Sequence, residues 1–170
     1  GGVTDEYIQI FRELCTADKP SFEGRHYRIS NLGFYPKPIQ KPHPPVWIGG
    51  YTPAALRRAV RLGDGWHPSN LPPEALAEKA TILRRLCAEA GRDPASLTIS
   101  TRVNNVAFGD RGDTTGRPAP ISGTAQQMID TIKRYADAGV QHIVLGIRGR
   151  DAEAMIVTAR RFVDEGRPKV

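Results

Sequence analysis

Two neighbouring stretches of the 170-residue chain carry residue types and spacings that could do chemistry. The first is Gly49-Gly50-Tyr51-Thr52-Pro53. Paired glycines let a backbone approach a ligand with no Cβ in the way. Thr52 before Pro53 reads as a helix N-cap followed by the first helical position. Free amides and the positive end of a helix dipole would then face whatever lies above the turn, an arrangement suited to an anion, to which Thr52 can add a hydroxyl. Gly-Gly can equally be no more than a tight strand-to-helix connection, and spacing alone favours that plainer reading. No Gly-Lys-Ser/Thr follows, so this is not a Walker loop.

The second stretch is Trp66-His67-Pro68-Ser69-Asn70, at the C-terminal end of the next expected strand. His67 is its most reactive side chain, but no carboxylate or nucleophile adjoins it in sequence. A polar wall position suits it better than a general base. Asn70 offers a hydrogen bond to a cofactor or substrate, and Trp66 reads as core packing. Arg148 and Arg150 follow the last expected strand and could receive an anionic substrate, although solvated loop arginines are the commoner outcome. His26 and His43 show no chemical role. Cys15 and Cys87 lie far apart, each on an apolar helical stripe, which predicts buried free thiols. No His or Cys pair has metal-ligand spacing, so no metal is expected.

The elements that must position these residues follow from periodicity. Tyr7, Ile8, Phe11, Leu14 and Cys15 form one face of a helix from about Thr4 to Cys15. Phe22 to Ile29 reads as a short extended piece with a turn at Glu23-Gly24. Five prolines between Pro36 and Pro45 exclude helix and central strand there. Residues 1–45 are therefore a helix plus a proline-rich excursion, and 46–170 are four β/α units within one domain. The units begin with strands at Val46–Ile48, Gly65–His67, Leu97–Phe108 and His142–Leu145. Helices follow from Thr52 to Gly63, Pro73 to Ala90, Thr124 to Gly139 and about Asp151 to Gly166. Thr124 with Gln127 fits a capping box. Met155, Ala159, Phe162 and Val163 are expected to be buried by the last helix. The fifteen polar residues from Gly109 to Gly123 read as a lid over the strand ends.

Successive strand–helix units with long connections imply parallel right-handed crossovers. Either an open doubly wound sheet or a closed eight-fold barrel uses that alternation. The net charge of +6 comes from arginines scattered over separate helices among acids, with no basic run and no aromatic stacking motif. That argues against nucleic acid as a partner and leaves at most a mild attraction for acidic ligands. No apolar run spans a bilayer and no signal peptide is visible, so no membrane and a cytoplasmic location are expected. The opening Gly1-Gly2 does not look like a natural start, which suggests a segment upstream.

Trp47-Ile48-Gly49-Gly50-Tyr51-Thr52-Pro53-Ala54-Ala55-Leu56-Arg57-Arg58-Ala59, followed by Leu62-Gly63-Asp64-Gly65-Trp66-His67-Pro68, resembles the luciferase-like monooxygenase family. The likeness is strongest to its actinobacterial branch that uses the deazaflavin coenzyme F-420. Ser21 to Tyr27, the proline-rich Pro36 to Pro45, and Gly123 to Val140 with the following His-x-Val-Leu extend it over nearly the whole chain. The resemblance implies the C-terminal half, strands five to eight, of a (β/α)8 TIM barrel, with the usual catalytic residues upstream. It implies that Gly49, Gly50, Tyr51 and Thr52, with Asn70, contact a cofactor, coenzyme F-420 or FMN, and that His67, Arg148 and Arg150 are candidate substrate contacts. An oxidoreductase fragment inactive alone is the leading expectation. A non-catalytic half-barrel, acting as an anion- or nucleotide-binding or assembly module, is the alternative. Unclosed edges, with the inward faces of Val46, Ile48, Ile143 and Leu145 uncovered, predict a homodimer joined at Val46–Ile48 or His142–Leu145, or else pairing with the missing N-terminal half.

Overall fold

A computed structural model of the chain describes residues 1–109, 121–147 and 149–166. Helix α1 (Gly2–Thr16) leads into a hairpin of β1 (Phe22–Glu23) and β2 (Arg28–Ile29). The Glu6 carboxylate accepts the amides of Arg25, His26 and Tyr27, tying the hairpin to the helix. The Lys37 ammonium donates to the carbonyls of Leu14 and Ala17 at the helix end, so the proline-rich excursion folds back onto α1. Asp64 accepts from the Val46 amide and from Arg12, joining α1 to the sheet.

The main sheet begins with β3 (Trp47–Gly49), α2 (Pro53–Leu62), β4 (Gly65–His67) and α3 (Pro73–Glu89). It continues with β5 (Thr98–Phe108), β6 (Ser122–Gly123), α4 (Ala125–Asp137), β7 (His142–Ile147) and α5 (Ala152–Arg161). The strands β3, β4, β5 and β7 lie side by side in that order, every pairing parallel. Parallel neighbours require crossover helices, which is what the alternating sequence supplies.

Local chemistry sets the helix ends. Thr52 Oγ1 accepts the Ala55 amide, with Pro53 at the first helical position. Thr124 and Gln127 form the reciprocal capping box, and Asp151 caps α5. The core lies between one face of the sheet and the helices, built on Ile48, Leu56, Trp66, Leu76, Leu83, Ile99, Val103 and Met128. Cys15 and Cys87 are buried free thiols.

Three expectations change. Ile48 is only 6% exposed, and Val46, Ile143 and Leu145 pack against the same core. The uncovered face is the opposite one, because strand side chains alternate and these residues point at the helices. Second, Ser122–Gly123 is a strand paired with Ala107–Phe108, and Gly109 bridges Gly123. The two ends of the expected lid are thus held together by backbone pairing, while residues 110–120, its body, lie outside the described residues. Third, no residue of α5 is fully buried, and Met155 and Val163 are exposed. The helix covers a sheet edge with no further element beyond it among the described residues, so its apolar stripe is only half used.

Tyr135 shows how α4 is locked to the unit before it. The ring is fully buried and its hydroxyl donates to the Leu71 carbonyl at 2.6 Å. Burial, opposed in part by the charge of Arg134, pushes its pKa up to about 12. Tyr135→Phe should keep the packing, orphan the Leu71 carbonyl and lower unfolding free energy by roughly 1–2 kcal/mol in urea denaturation. Unchanged stability would mean that the carbonyl finds another donor.

Candidate functional site

The open face of the sheet carries the chemistry. Register places Trp47 beside Gly65, Gly49 beside His67, and Ser100, Arg102 and Asn104 beside His142, Val144 and Gly146. All of these share the face opposite Ile48, Trp66, Ile99 and Val103. The short strands β3 and β4 end low on this face, whereas β5 runs on past them. Ser69, just beyond β4, bridges Arg102. The residues that follow β3 and β4 therefore surround the upper half of β5, at the C-terminal ends of the strands, where parallel sheets bind ligands.

The glycine turn occupies one side. Gly50 has φ +84°, a left-handed conformation that favours glycine. Its carbonyl accepts the Trp66 indole at 2.7 Å, and Trp66 is itself fully buried. The core thus fixes the turn through one hydrogen bond, so Trp66 packs as expected and also orients the loop. A Cβ built on Gly49 would meet nothing closer than 3.8 Å, so that position is open toward the face. The Thr52 side chain and carbonyl take the amides of Ala55 and Leu56. Among the described residues, the amides of Tyr51, Thr52 and Ala54 have no protein partner. These are the unfilled donors expected at a helix start.

His67 sits between the turn and β5. Its Nδ1 lies 2.7 Å from Ser100 Oγ, and its ring packs on Trp47, which also meets His142 edge-on. Burial first, then the charges of His142 and Arg102, lower its pKa below the usual histidine value. The neutral imidazole is therefore favoured. Ser100 is a partner that no sequence neighbour of His67 announced, because it comes from the adjacent strand. Ser100 is fully buried, and among the described residues no carboxylate backs the imidazole as the third group of a hydrolytic triad would.

Asn70, expected to reach a ligand, spends its Oδ1 on the Asn104 amide at 2.8 Å. Arg150 is exposed and pairs with the cap residue Asp151. Arg148 lies outside the described residues. His26 and His43 stay away from this face: His26 belongs to the hairpin anchored on Glu6, and His43 packs on Phe11 near Asp64. Sequence reading missed Arg102 and Asn104. Their only signal was alternation along β5, which shows which residues share a face but not that the face is uncovered. Among the described residues no group of three metal-ligand side chains converges. No helix among them is long and apolar enough to cross a membrane.

Comparison with known proteins agrees with this layout. A family model described as luciferase-like monooxygenase matches residues 1–113. Uncharacterised proteins of Mycobacterium bovis and Mycobacterium tuberculosis are each 32% identical over 163 residues, 93% of this chain and 48% of theirs. The chain thus spans about half the length of these curated relatives. An F-420-dependent secondary alcohol dehydrogenase solved with an F-420–acetone adduct superposes with TM-score 0.75 at 19% identity, covering 97% of this chain and 61% of that one. A monooxygenase of Streptomyces bottropensis gives 0.74 at 21%, covering 95% and 59%. The coenzyme F-420-dependent tetrahydromethanopterin reductase of Methanopyrus kandleri gives 0.71 at 16%, covering 91% and 59%. At these identities the superpositions establish the fold: the parallel sheet and its helices match part of a luciferase-like TIM barrel.

The electrostatics of the face predict a pH response. A histidine favoured neutral in the fold leaves the unfolded chain binding more protons below about pH 6.5. Stability should therefore fall as pH drops from that value toward the lowered pKa of His67. Arg102→Gln should raise the His67 pKa in an NMR titration, because a repelling charge is removed. A His67 titration unmoved by that substitution would show that Arg102 is screened from the imidazole.

Proposed function

The chain belongs to the luciferase-like monooxygenase family, and on that premise we propose that it contributes the cofactor-phosphate loop of a flavin- or deazaflavin-dependent oxidoreductase. The observation that carries this reading is the glycine turn: Gly50 in a left-handed conformation, followed by three unpartnered amides at a capped helix start. Donors of that kind fit a phosphate, and the open Cβ position of Gly49 gives it access. FMN and coenzyme F-420 both carry a phosphate, so either fits the loop. Such a group, when bound, supplies hydride or oxygen chemistry. Gly49, Gly50, Tyr51 and Thr52 hold its phosphate end, while Asn70 braces the neighbouring strand. His67 and Arg150 are assigned to the substrate side, and Arg148 is assigned with them from the sequence alone.

In this reading the four parallel units are strands five to eight of the barrel, and the reacting groups come from the other half. This reading assigns no turnover to this chain alone. The second reading is a non-catalytic half-barrel that binds anions, which the amides of the glycine turn would equally serve. The outer edges of β3 and β7 have no partner among the described residues, and Met155, Ile156 and Val157 are exposed on α5. Edges of that kind recruit another strand. The chain is accordingly assigned to a homodimer, joined along β3 or β7, wherever the other barrel half does not close it.

Two outcomes test these assignments. Gly49→Leu places a side chain above the turn without backbone strain. It should weaken FMN or coenzyme F-420 binding by at least about tenfold in a phosphorus NMR titration, with little change in the denaturation midpoint. A well-folded variant with unchanged affinity would remove the phosphate from this loop. Light scattering at micromolar concentration should give a dimer mass, and cofactor-dependent turnover should be absent. A cooperatively folding monomer would overturn the assembly, and turnover would place the reacting groups within this chain.

A further inference from the structure

Arg102 stands at mid-height on β5, level with the first residues beyond β4, and its side chain is exposed on the open face. Its Nε donates to Asn104 Oδ1 at 2.8 Å. Among the described residues, neither Nη has a hydrogen-bond or ion-pair partner. Most other described arginines are engaged: Arg58 and Arg61 clamp Asp5, Arg92 donates to the carbonyls of Val60 and Gly63, and Arg134 holds Glu74. A guanidinium fixed at Nε and open at both Nη groups presents the fork that fits an oxyanion.

The support behind that fork is built from three further residues. The Asn104 amide donates to Asn70 Oδ1, and the Asn70 amide donates to the Arg102 carbonyl, each at 2.8 Å. Asn70 and Asn105 both sit at positive φ, +56° and +65°, and the register of β5 shifts between Asn104 and Val106. Left-handed residues at a strand bulge re-aim the chain at a local energetic cost. Gly146, opposite Asn104 on β7, completes the arrangement. A Cβ there would lie 2.6 Å from Asn104 Oδ1, so only glycine leaves that carbonyl free to receive Arg102.

Among the described residues, register brings no competing acid to this face. The residues that register places on this face are Trp47, Gly49, His67, Ser100, Asn104, His142, Val144 and Gly146, none of them a carboxylate. The titratable residues that register places on this face, among the described ones, are His67 and His142, and His67 is already held toward its neutral form.

We propose that Arg102, aimed by Asn104 and seated by Asn70 and Gly146, receives the carboxylate or phosphate group of a small ligand at the C-terminal ends of the strands. This rests on those ends being the ligand side of the fold, as in the proposed function, but not on the glycine turn. It defines an anion subsite separate from that turn and assigns the bound molecule an oxyanion group.

The test is residue-resolved NMR of the full chain, titrated separately with inorganic phosphate and with acetate. The Arg102 Nε–H signal and the Asn104 and Asn70 amides should shift saturably in the millimolar range. Arg102→Gln should weaken that response by about tenfold or more. Asn104→Ala, which keeps the charge and releases the fork, should weaken it severalfold. A response to both anions fits a general oxyanion receptor, and a response to one alone identifies which source it takes. Arg102 signals unmoved by both anions overturn the proposal, as does a response that survives Arg102→Gln intact. Shifts that follow protein concentration instead would place a carboxylate of a second copy on Arg102 and would also overturn it. Amides of Tyr51 and Thr52 are read in the same spectra, so a silent glycine turn beside a responsive Arg102 would refute the phosphate-loop reading alone.

Discussion

Strand β5 is the constraint on which the rest of this fold hangs. It takes β4 on one edge at Thr98–Ile99 and β7 on its other edge from Ser100 to Val106. Because its side chains alternate, it sorts the molecule into two environments. Ile99, Val103 and Val106 go to the dry side under the helices, while Ser100, Arg102 and Asn104 go to the open side. Its eleven residues outrun the three of β4 beside it and the three of β3 beyond. That mismatch creates the ledge on which the polar groups of the open face gather.

Both ends of the ledge are held by hydrogen bonds, one from the core and one from the loop after β4. On one side the Trp66 indole reaches out of the packed interior to fix the Gly50 carbonyl. On the other, Asn70 crosses from the end of β4 to the Asn104 amide. Trp66 lies in β4 and Asn70 just beyond it, so this one stretch sets the glycine turn and the Arg102 cluster together. The glycine turn is thus positioned by a buried indole, whereas the Arg102 cluster is held by hydrogen bonds among exposed and half-buried residues.

The open face is polar and carries cationic or titratable groups, and this changes how the incomplete sheet should associate. An apolar face would have driven two copies together face to face. With Arg102 on it, that contact would bring guanidinium charges together, whereas the edges of β3 and β7 and the apolar stripe of α5 offer pairing and burial without that conflict. Membership of a barrel family makes the same point from the other direction. In a closed barrel this face would be interior, so its polar groups would need partners from the opposite strands or from a ligand.

Much of the architecture was legible in the chain itself, for local reasons. The Thr52-Pro53 start of α2, the capping box at Thr124 and the glycine ends of helices are set by neighbours within four residues, and each was readable. Parallel pairing followed from alternating strands and helices. The family followed from the order of short motifs around Gly49-Gly50 and Gly65-Trp66-His67. Other features required the folded chain. Which face of β3 and β7 would be covered was misjudged, because alternation gives two faces and only tertiary packing decides which one the helices take. Ser122–Gly123 became a strand only because β5 extends far enough to pair with it. Ser100 as the partner of His67, and the Arg102–Asn104–Asn70–Gly146 cluster, unite residues from separate strands and loops. The sequence alone determined the elements, their caps and their parallel order. The tertiary structure decided which polar residues meet, because register between strands is a property of the packed sheet and not of any one segment.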